Sequence, residues 1–454
     1  MPGQANNKPT TKNSVIIQPS EVHAVLNRHM LADGFNLVVD LQKSHGSYIY
    51  DSRTDKTLLD FFTFFASGAI GMNHPKMTTP EFLAKLGRIA VHKPSNSDAY
   101  TVEMAEFVET FARIAQPAYL PHAFFIEGGA LGNENALKAA FDWKVRKNFA
   151  KGYAREVGTQ VIHFEHAFHG RTGYTLSLTN SEPIKINYFP KFQWPRIHNP
   201  VLIFPLTEAR LEQVKREEAI AIEQIKKAVA ENKDDIAALI IEPIQAEGGD
   251  KHFRKEFFVE LRTICDENDI MLIFDEVQVG MGITGKMWAH EYFVKPDMMT
   301  FGKKLHVCGF VSSTRIDEVT ENVFHIPNRL NSTFGGNLID MVRAKRILEI
   351  IEEEQLVENA FAVGEYLHKN LNALENEFPK LISNTRGLGL LCAMDLDSRQ
   401  NRDLIKEKAI ENGLILIGCS ERTIRFRPPL NLSKPEVDEG IDIIRYCLRE
   451  MKPV

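Results

Sequence analysis

Short runs that are apolar through almost their whole length, set between long amphipathic stretches, constrain this chain most. Ala123-Phe124-Phe125-Ile126, the segment from Gln160 to Phe164, Ala237 to Ile241 and Met271 to Phe274 lack the strict polar alternation of a strand with one wet face. Strands of that kind must be covered on both sides, which is the habit of a parallel sheet between two helix layers. The intervening stretches supply the cover. Residues 134–147 carry Ala136, Leu137, Ala140, Phe141 and Trp143 on one side of a helix, and a second helix is expected over 255–268. Alternation of the two kinds of segment predicts an α/β fold with a mostly parallel sheet. From about Met341 the texture changes to long charged helices, over 344–354 and 358–377, followed by short strands near 389–395 and 423–426. The expected division is a large domain over 76–340 and a smaller α+β domain over 341–454, to which an N-terminal segment, 1–75, contributes. The first dozen residues are polar and expected to be disordered.

Composition narrows the function classes. A chain of 454 residues exceeds one small core. Its 44% hydrophobic and 25% charged residues are ordinary for a globular protein. A net charge of -6 offers no basic surface, so neither nucleic acid nor an anionic membrane is an expected partner. The five cysteines are scattered and never spaced as CxxC. That argues against a disulfide framework or structural zinc, and a reducing cytoplasm is the expected location. Residues 1–14 hold no apolar signal core, and the aromatic run Phe61 to Gly68 is too short to span a bilayer.

The chemistry-bearing residues follow the strands. Asp275 closes the run 271–274, at the strand end where α/β sheets bind ligands. Further on, Gly302-Lys303-Lys304 precedes the apolar Val307-Cys308-Gly309-Phe310. A buried carboxylate that keeps a pyridine nitrogen protonated, and a lysine amine that holds an aldehyde as a Schiff base, are the two groups that pyridoxal phosphate chemistry needs. Spacing alone does not choose between Lys303 and Lys304. After Ile126 comes Glu127-Gly128-Gly129-Ala130-Leu131-Gly132-Asn133, a glycine-rich entry to a helix whose free N–H groups suit an anion. It is neither GxGxxG nor a P-loop with its lysine, so a dinucleotide or nucleoside triphosphate is not indicated. By itself it is equally a turn with no ligand. His163, His166 and His169 recur every three residues, but on a strand running into a loop they do not converge, and no metal is expected.

Six ordered motifs add a resemblance: Gly128 to Lys138 (GGALGNENALK), His166 to Thr172 (HAFHGRT), Glu242 to Asp250 (EPIQAEGGD), Phe274 to Gln278 (FDEVQ), Gly302 to Lys304, and Asn331 to Asn337 (NSTFGGN). Together they resemble the class III aminotransferases, over roughly Asn36 to the C-terminus. The resemblance implies fold type I of the pyridoxal-phosphate-dependent transferases, like aspartate aminotransferase: a large domain with a mostly parallel sheet plus a smaller α+β domain. It places the Schiff base on Lys303, directly after Gly302, and Lys304 is expected to lower its neighbour's pKa as a second ammonium. It implies Gly129 and Ala130 at the cofactor phosphate, Asp275 at the ring nitrogen, Gln278 at the ring hydroxyl and Phe168 stacked on the ring. Thr333 is expected to reach the phosphate held by a partner subunit, which makes a homodimer with its site at the interface. Arg171 and Arg425 are implied as receptors for a remote carboxylate and for one beside the reacting carbon, since the arginine fork binds carboxylates bidentately. Glu247 falls at a switch position that masks Arg425 for one substrate and leaves it for the other. Within the class, Phe141 to Lys144 and Val307 to Gly309 are most similar to enzymes that move the ε-amine of L-lysine to 2-oxoglutarate. Gly132 to Asn135 leans toward those acting on 4-aminobutyrate.

Overall fold

The computed structural model describes residues 15–454; the disorder expected of the first dozen residues lies outside them. Seven strands form the central sheet: β1 (His122–Ile126), β2 (Gln160–Phe164), β3 (Arg196–Ile197), β4 (Ile236–Ile241), β5 (Met271–Asp275), β6 (Met298–Phe301) and β7 (Cys308–Ser312). Their spatial order is β1-β7-β6-β5-β4-β2-β3. The run from β3 through β2, β4 and β5 to β6 is parallel, whereas β7 is antiparallel to both β6 and β1. The reversal has a simple cause. A parallel crossover needs a dozen or more residues, and only the turn at 302–307 separates β6 from β7.

Residues along β4 and β5 alternate between two cores, as a period of two requires. Ala238, Ile240, Met271 and Ile273 pack on one face with Ala136, Leu137, Ala140 and Trp143 of the helix Gly129–Ala150. Leu239, Ile241, Leu272 and Phe274 pack on the other, against Phe258 and Leu261 of the helix Lys255–Glu267. Each such large apolar side chain contributes roughly 1.5–3 kcal/mol by burial. The first helix starts at Gly129, earlier than the expected Glu134, so the glycines form its first turn. Gly132 has to be small there, because a Cβ would stand 2.8 Å from the Gly309 carbonyl oxygen of β7.

The remaining sheets join distant parts of the chain. Tyr48–Asp51 and Lys56–Asp60 form a hairpin whose second strand lies parallel to Leu414–Ile415. A four-stranded antiparallel sheet runs Ile382–Leu388, Leu391–Leu396, Thr423–Phe426, Ile417–Cys419. The helix expected over 344–354 is longer, Leu338–Glu353, and Leu356–Glu377 follows it. One apolar cluster extends from Leu59 and Phe61 through Phe301 and Met341 to Leu448, so the cores are continuous across residue 340. Among the described residues no helix is long and apolar enough to cross a membrane.

Candidate active site

The parallel strands β4 and β5 end at one edge of the sheet, and a cavity of about 680 Å3 opens there. Gly129, Ala130, Phe168, Asp275, Gln278 and Lys303 line it, with Arg171 at its rim. The structure therefore gathers these residues from four separate motifs. A second cavity of about 650 Å3, against Phe141, Phe192 and Trp194, contains none of the expected site residues.

Asp275 is the best-supported group. Its Oδ2 accepts from Asn133 Nδ2 at 2.7 Å and pairs with His169 Nδ1 at 2.8 Å, while Oδ1 accepts from the Val277 N–H at 3.1 Å. With Nδ1 on the carboxylate, the other ring nitrogen of His169, the buried Nε2, has no partner. Neither Asn133 nor His169 was assigned this part from the sequence. Close by, Glu242 has its carboxyl raised well above the usual range, first by burial and then by the Asp275 charge. Its oxygens accept from the N–H groups of Phe168 and Ala246, which ties the Phe168 loop to the Glu247 loop.

Lys303 takes a left-handed φ of 47° directly after Gly302, whose missing side chain makes room for Cys308 Sγ. Burial lowers the Lys303 pKa, and the Arg425 guanidinium lowers it further. Here the structure corrects the sequence reading, because the leading cationic influence on Lys303 is Arg425 rather than Lys304. Lys304 is buried, donates to the Gln278 carbonyl at 3.3 Å, and is itself pushed well down by burial, by Arg427 and by Lys303.

Arg425, on the strand Thr423–Phe426, is fully buried. Its Nη2 donates to Glu247 Oε2 at 2.6 Å and its Nη1 to Gln278 Oε1 at 2.9 Å. The other Glu247 oxygen, Oε1, accepts from Lys185 Nζ at 2.5 Å. Burial alone would raise the Glu247 carboxyl; Arg425 and then Lys185 outweigh it and bring it down to about 2. Arg171 is exposed, on a loop fixed from below by Glu134. Glu134 Oε1 accepts from Thr172 Oγ1, the Tyr174 N–H and the Thr175 N–H at 2.7, 2.7 and 3.1 Å.

A segment that the sequence marked only as aromatic lies beside Lys303 and Arg425. Thr63, Phe64, Phe65 and Ala66 all have left-handed φ, at 41, 51, 60 and 70°. A run of four is costly for residues with a Cβ and persists only where the surroundings fix it. Asp60 Oδ1 accepts from the N–H groups of Phe62 and Thr63 at 2.8 Å each, and Thr63 Oγ1 donates to the Arg427 carbonyl at 2.6 Å. The result is a Phe65 ring whose centroid lies 6.0 Å from Lys303 Nζ and 5.8 Å from Arg425 Cζ.

Thr333 stands apart from this group. It is exposed, its carbonyl accepts from Ser97 Oγ at 3.3 Å, and it does not line the cavity of its own chain. Of the three spaced histidines, His163 receives a hydrogen bond from Arg196 Nε at 3.2 Å and His169 pairs with Asp275. Among the described residues no three His, Cys, Asp or Glu side chains gather as metal ligands.

Comparison with known proteins decides the family: residues 30–448 match Aminotransferase class-III. The chain belongs to the class III aminotransferases. This aminotransferase is 51% identical over 432 residues to the L-lysine-epsilon aminotransferase of Mycobacterium tuberculosis, covering 95% of this chain and 96% of that one. It is 45% identical over 435 residues to the protein of the same name from Streptomyces clavuligerus, with 94% of each covered. The solved structure of lysine aminotransferase from M. tuberculosis superposes with a TM-score of 0.93 over 95% of this chain and 99% of that one. The fold is that of the pyridoxal-phosphate-dependent aminotransferases, and the family implies that cofactor. The residues at the cavity fit it. A supported carboxylate, a buried amine and the N-terminus of a 22-residue helix meet there. The helix packs so closely that a Cβ on Gly129 would come within 2.7 Å of Val277.

Proposed function

We propose that this aminotransferase transfers the ε-amino group of L-lysine to 2-oxoglutarate, giving L-glutamate and 2-aminoadipate 6-semialdehyde, which cyclises to piperideine-6-carboxylate. The observation that carries the reading is the closed Arg425–Glu247 pair beside Lys303. While Glu247 covers Arg425 and Asp340 pairs with Arg343, the exposed arginine left at the cavity is Arg171. An amine donor whose carboxylate is held by Arg171 presents its far amine inward, and for L-lysine that is the ε-amine. 2-Oxoglutarate needs a carboxylate receptor beside the reacting carbon, which Arg425 becomes once Glu247 leaves it. Identity of 45–51% to two proteins named for the lysine reaction supports the same conclusion.

Pyridoxal phosphate, when bound, supplies an aldehyde that condenses with an amine and an electron sink for the pair left when the neighbouring C–H proton departs. The residues of this chain do the rest. Asp275, oriented by His169 and Asn133, would pair with the ring nitrogen and hold its proton. Gly129 and Ala130 offer their N–H groups to the phosphate at the positive end of the helix. Phe168 would cover one ring face and Gln278 would reach the ring hydroxyl, both from the lining of the cavity. Lys303 Nζ, whose neutral amine form is favoured by burial and by Arg425, removes the proton from the ε-carbon of L-lysine.

Thr333, exposed and off its own cavity, serves the phosphate site of a second copy, so the working unit is a homodimer. Residues 1–75 and 341–454 act as the small domain around the large domain 76–340, a division supported by the pairing of 56–60 with 414–415. Five free, buried cysteines support a cytoplasmic location.

The deciding experiment mixes the holoenzyme with L-lysine alone and, separately, with 4-aminobutyrate, following the cofactor absorbance. Bleaching by L-lysine, with glutamate formed on adding 2-oxoglutarate, is the expected result. Bleaching by 4-aminobutyrate alone would move the function to 4-aminobutyrate transamination with the same site.

A further inference from the structure

Glu247 does not have one cationic partner but two, and its oxygens are divided between them: Oε2 to Arg425, Oε1 to Lys185. Lys185 belongs to a helical turn, Pro183–Lys185, that no motif of the sequence singled out. Its side chain is only 10% exposed, and Glu182 Oε1 holds the ammonium at 3.0 Å from the side away from the switch. The same ammonium lies 5.5 Å from the centroid of the Phe168 ring. Lys185 is thus a fixed cation rather than a swinging surface lysine.

We propose that Lys185 is a positioning residue that keeps hold of Glu247 when Arg425 is released to a 2-oxo acid carrying two carboxylates. The idea rests on the alternation of Arg425 between Glu247 and substrate proposed above. A carboxylate that leaves Arg425 inside a buried site must still be neutralised, because an unpaired buried charge is strongly unfavourable. The need is greatest when a dianion enters beside it. With one oxygen already on Lys185, Glu247 gives up a single contact and turns about the other. In the amine-donor half of the cycle both contacts persist and Lys185 adds little. Its effect therefore falls on one half-reaction.

The test uses holoenzyme with Lys185→Met, which keeps length and removes charge, and Lys185→Arg, which keeps charge. Each half-reaction is followed by stopped flow: the pyridoxal form with L-lysine, and the pyridoxamine form with 2-oxoglutarate. Lys185→Met is expected to raise the half-saturating 2-oxoglutarate about tenfold, with the L-lysine half-reaction within about twofold of wild type. Lys185→Arg should recover most of the difference. In the background of Glu247→Ala the Lys185→Met effect should vanish, since the two act as one unit. Equal losses in both half-reactions, or no change in either, would overturn the proposal. If wild type accepts a different ω-amine and not L-lysine, the substrate reading fails, yet the asymmetry between half-reactions still tests Lys185 with that donor.

Discussion

Asp275 shows how a single side chain is held in place by neighbours from distant parts of the chain. Asn133 and His169 both donate to it inside a buried site. A hydrogen bond to a charged group contributes about 1.5–3 kcal/mol, so Asn133→Leu is expected to weaken pyridoxal phosphate binding roughly ten- to hundredfold, measured by titrating cofactor into the apoprotein. Lys303→Ala should abolish turnover and the imine absorbance together, and retention of both would transfer the role to Lys304. Glu247→Ala should keep turnover but yield products from both amines of L-lysine, separated by chromatography; an unchanged ε-only product at wild-type rate would sink the switch. Asp275 and Lys303 were legible in the sequence because their chemistry is distinctive and each borders an apolar run. Asn133 and His169 were not, since their common partner lies 142 and 106 residues away. His169 lies in the motif 166–172 but was given no role there, and Lys185 belongs to no motif at all.

Among the elements, the left-handed stretch Thr63–Ala66 is the least expected and the most dependent on one neighbour. Asp60 anchors it through two backbone N–H groups, and burial against those donors pushes its carboxyl up to about 6. The folded state thus binds this proton more tightly than the unfolded chain, whose reference value is 3.8. Stability contributed by the protonated form is present at low pH and is lost as pH rises through the interval from 3.8 to about 6. Asp60→Asn keeps an oxygen that can accept and removes the charge. It is expected to raise stability by up to about 3 kcal/mol at pH 8, with little gain near pH 4. Urea midpoints at the two values check this, and an equal gain at both would remove Asp60 ionisation as the cause. The strands of the central sheet were readable because burial on both faces leaves an uninterrupted apolar run. The antiparallel β7 was not, because direction depends on the shortness of the preceding turn rather than on β7 itself.

At the scale of the whole molecule, buried ion pairs bind the C-terminal sheet to the Glu247 loop. Arg427 pairs with Asp250, Nη1 to Oδ2 at 2.9 Å, with both side chains almost wholly buried. Arg386 donates to the carbonyls of Gly249 and Asp250 and pairs with Asp395. Arg427→Leu leaves the Asp250 charge buried without its partner and is expected to cost about 3–5 kcal/mol in urea unfolding, partly recovered by adding Asp250→Asn. The apolar core does not break at the boundary expected near residue 340, and the strand that joins the N-terminal hairpin comes from far along the chain. That last pairing bears on how the protein is made. On the edge away from their hairpin partner, Leu59 and Asp60 find neighbours only at Leu414 and Ile415, roughly 350 residues later. At about 5–20 residues per second the ribosome takes ~20–70 s to cover that distance. Throughout that time Leu58 and Leu59, each buried in the finished molecule, sit in a hairpin whose second edge is unpaired. A nascent chain stalled short of Leu414 keeps this apolar edge open to chaperones and to other nascent chains.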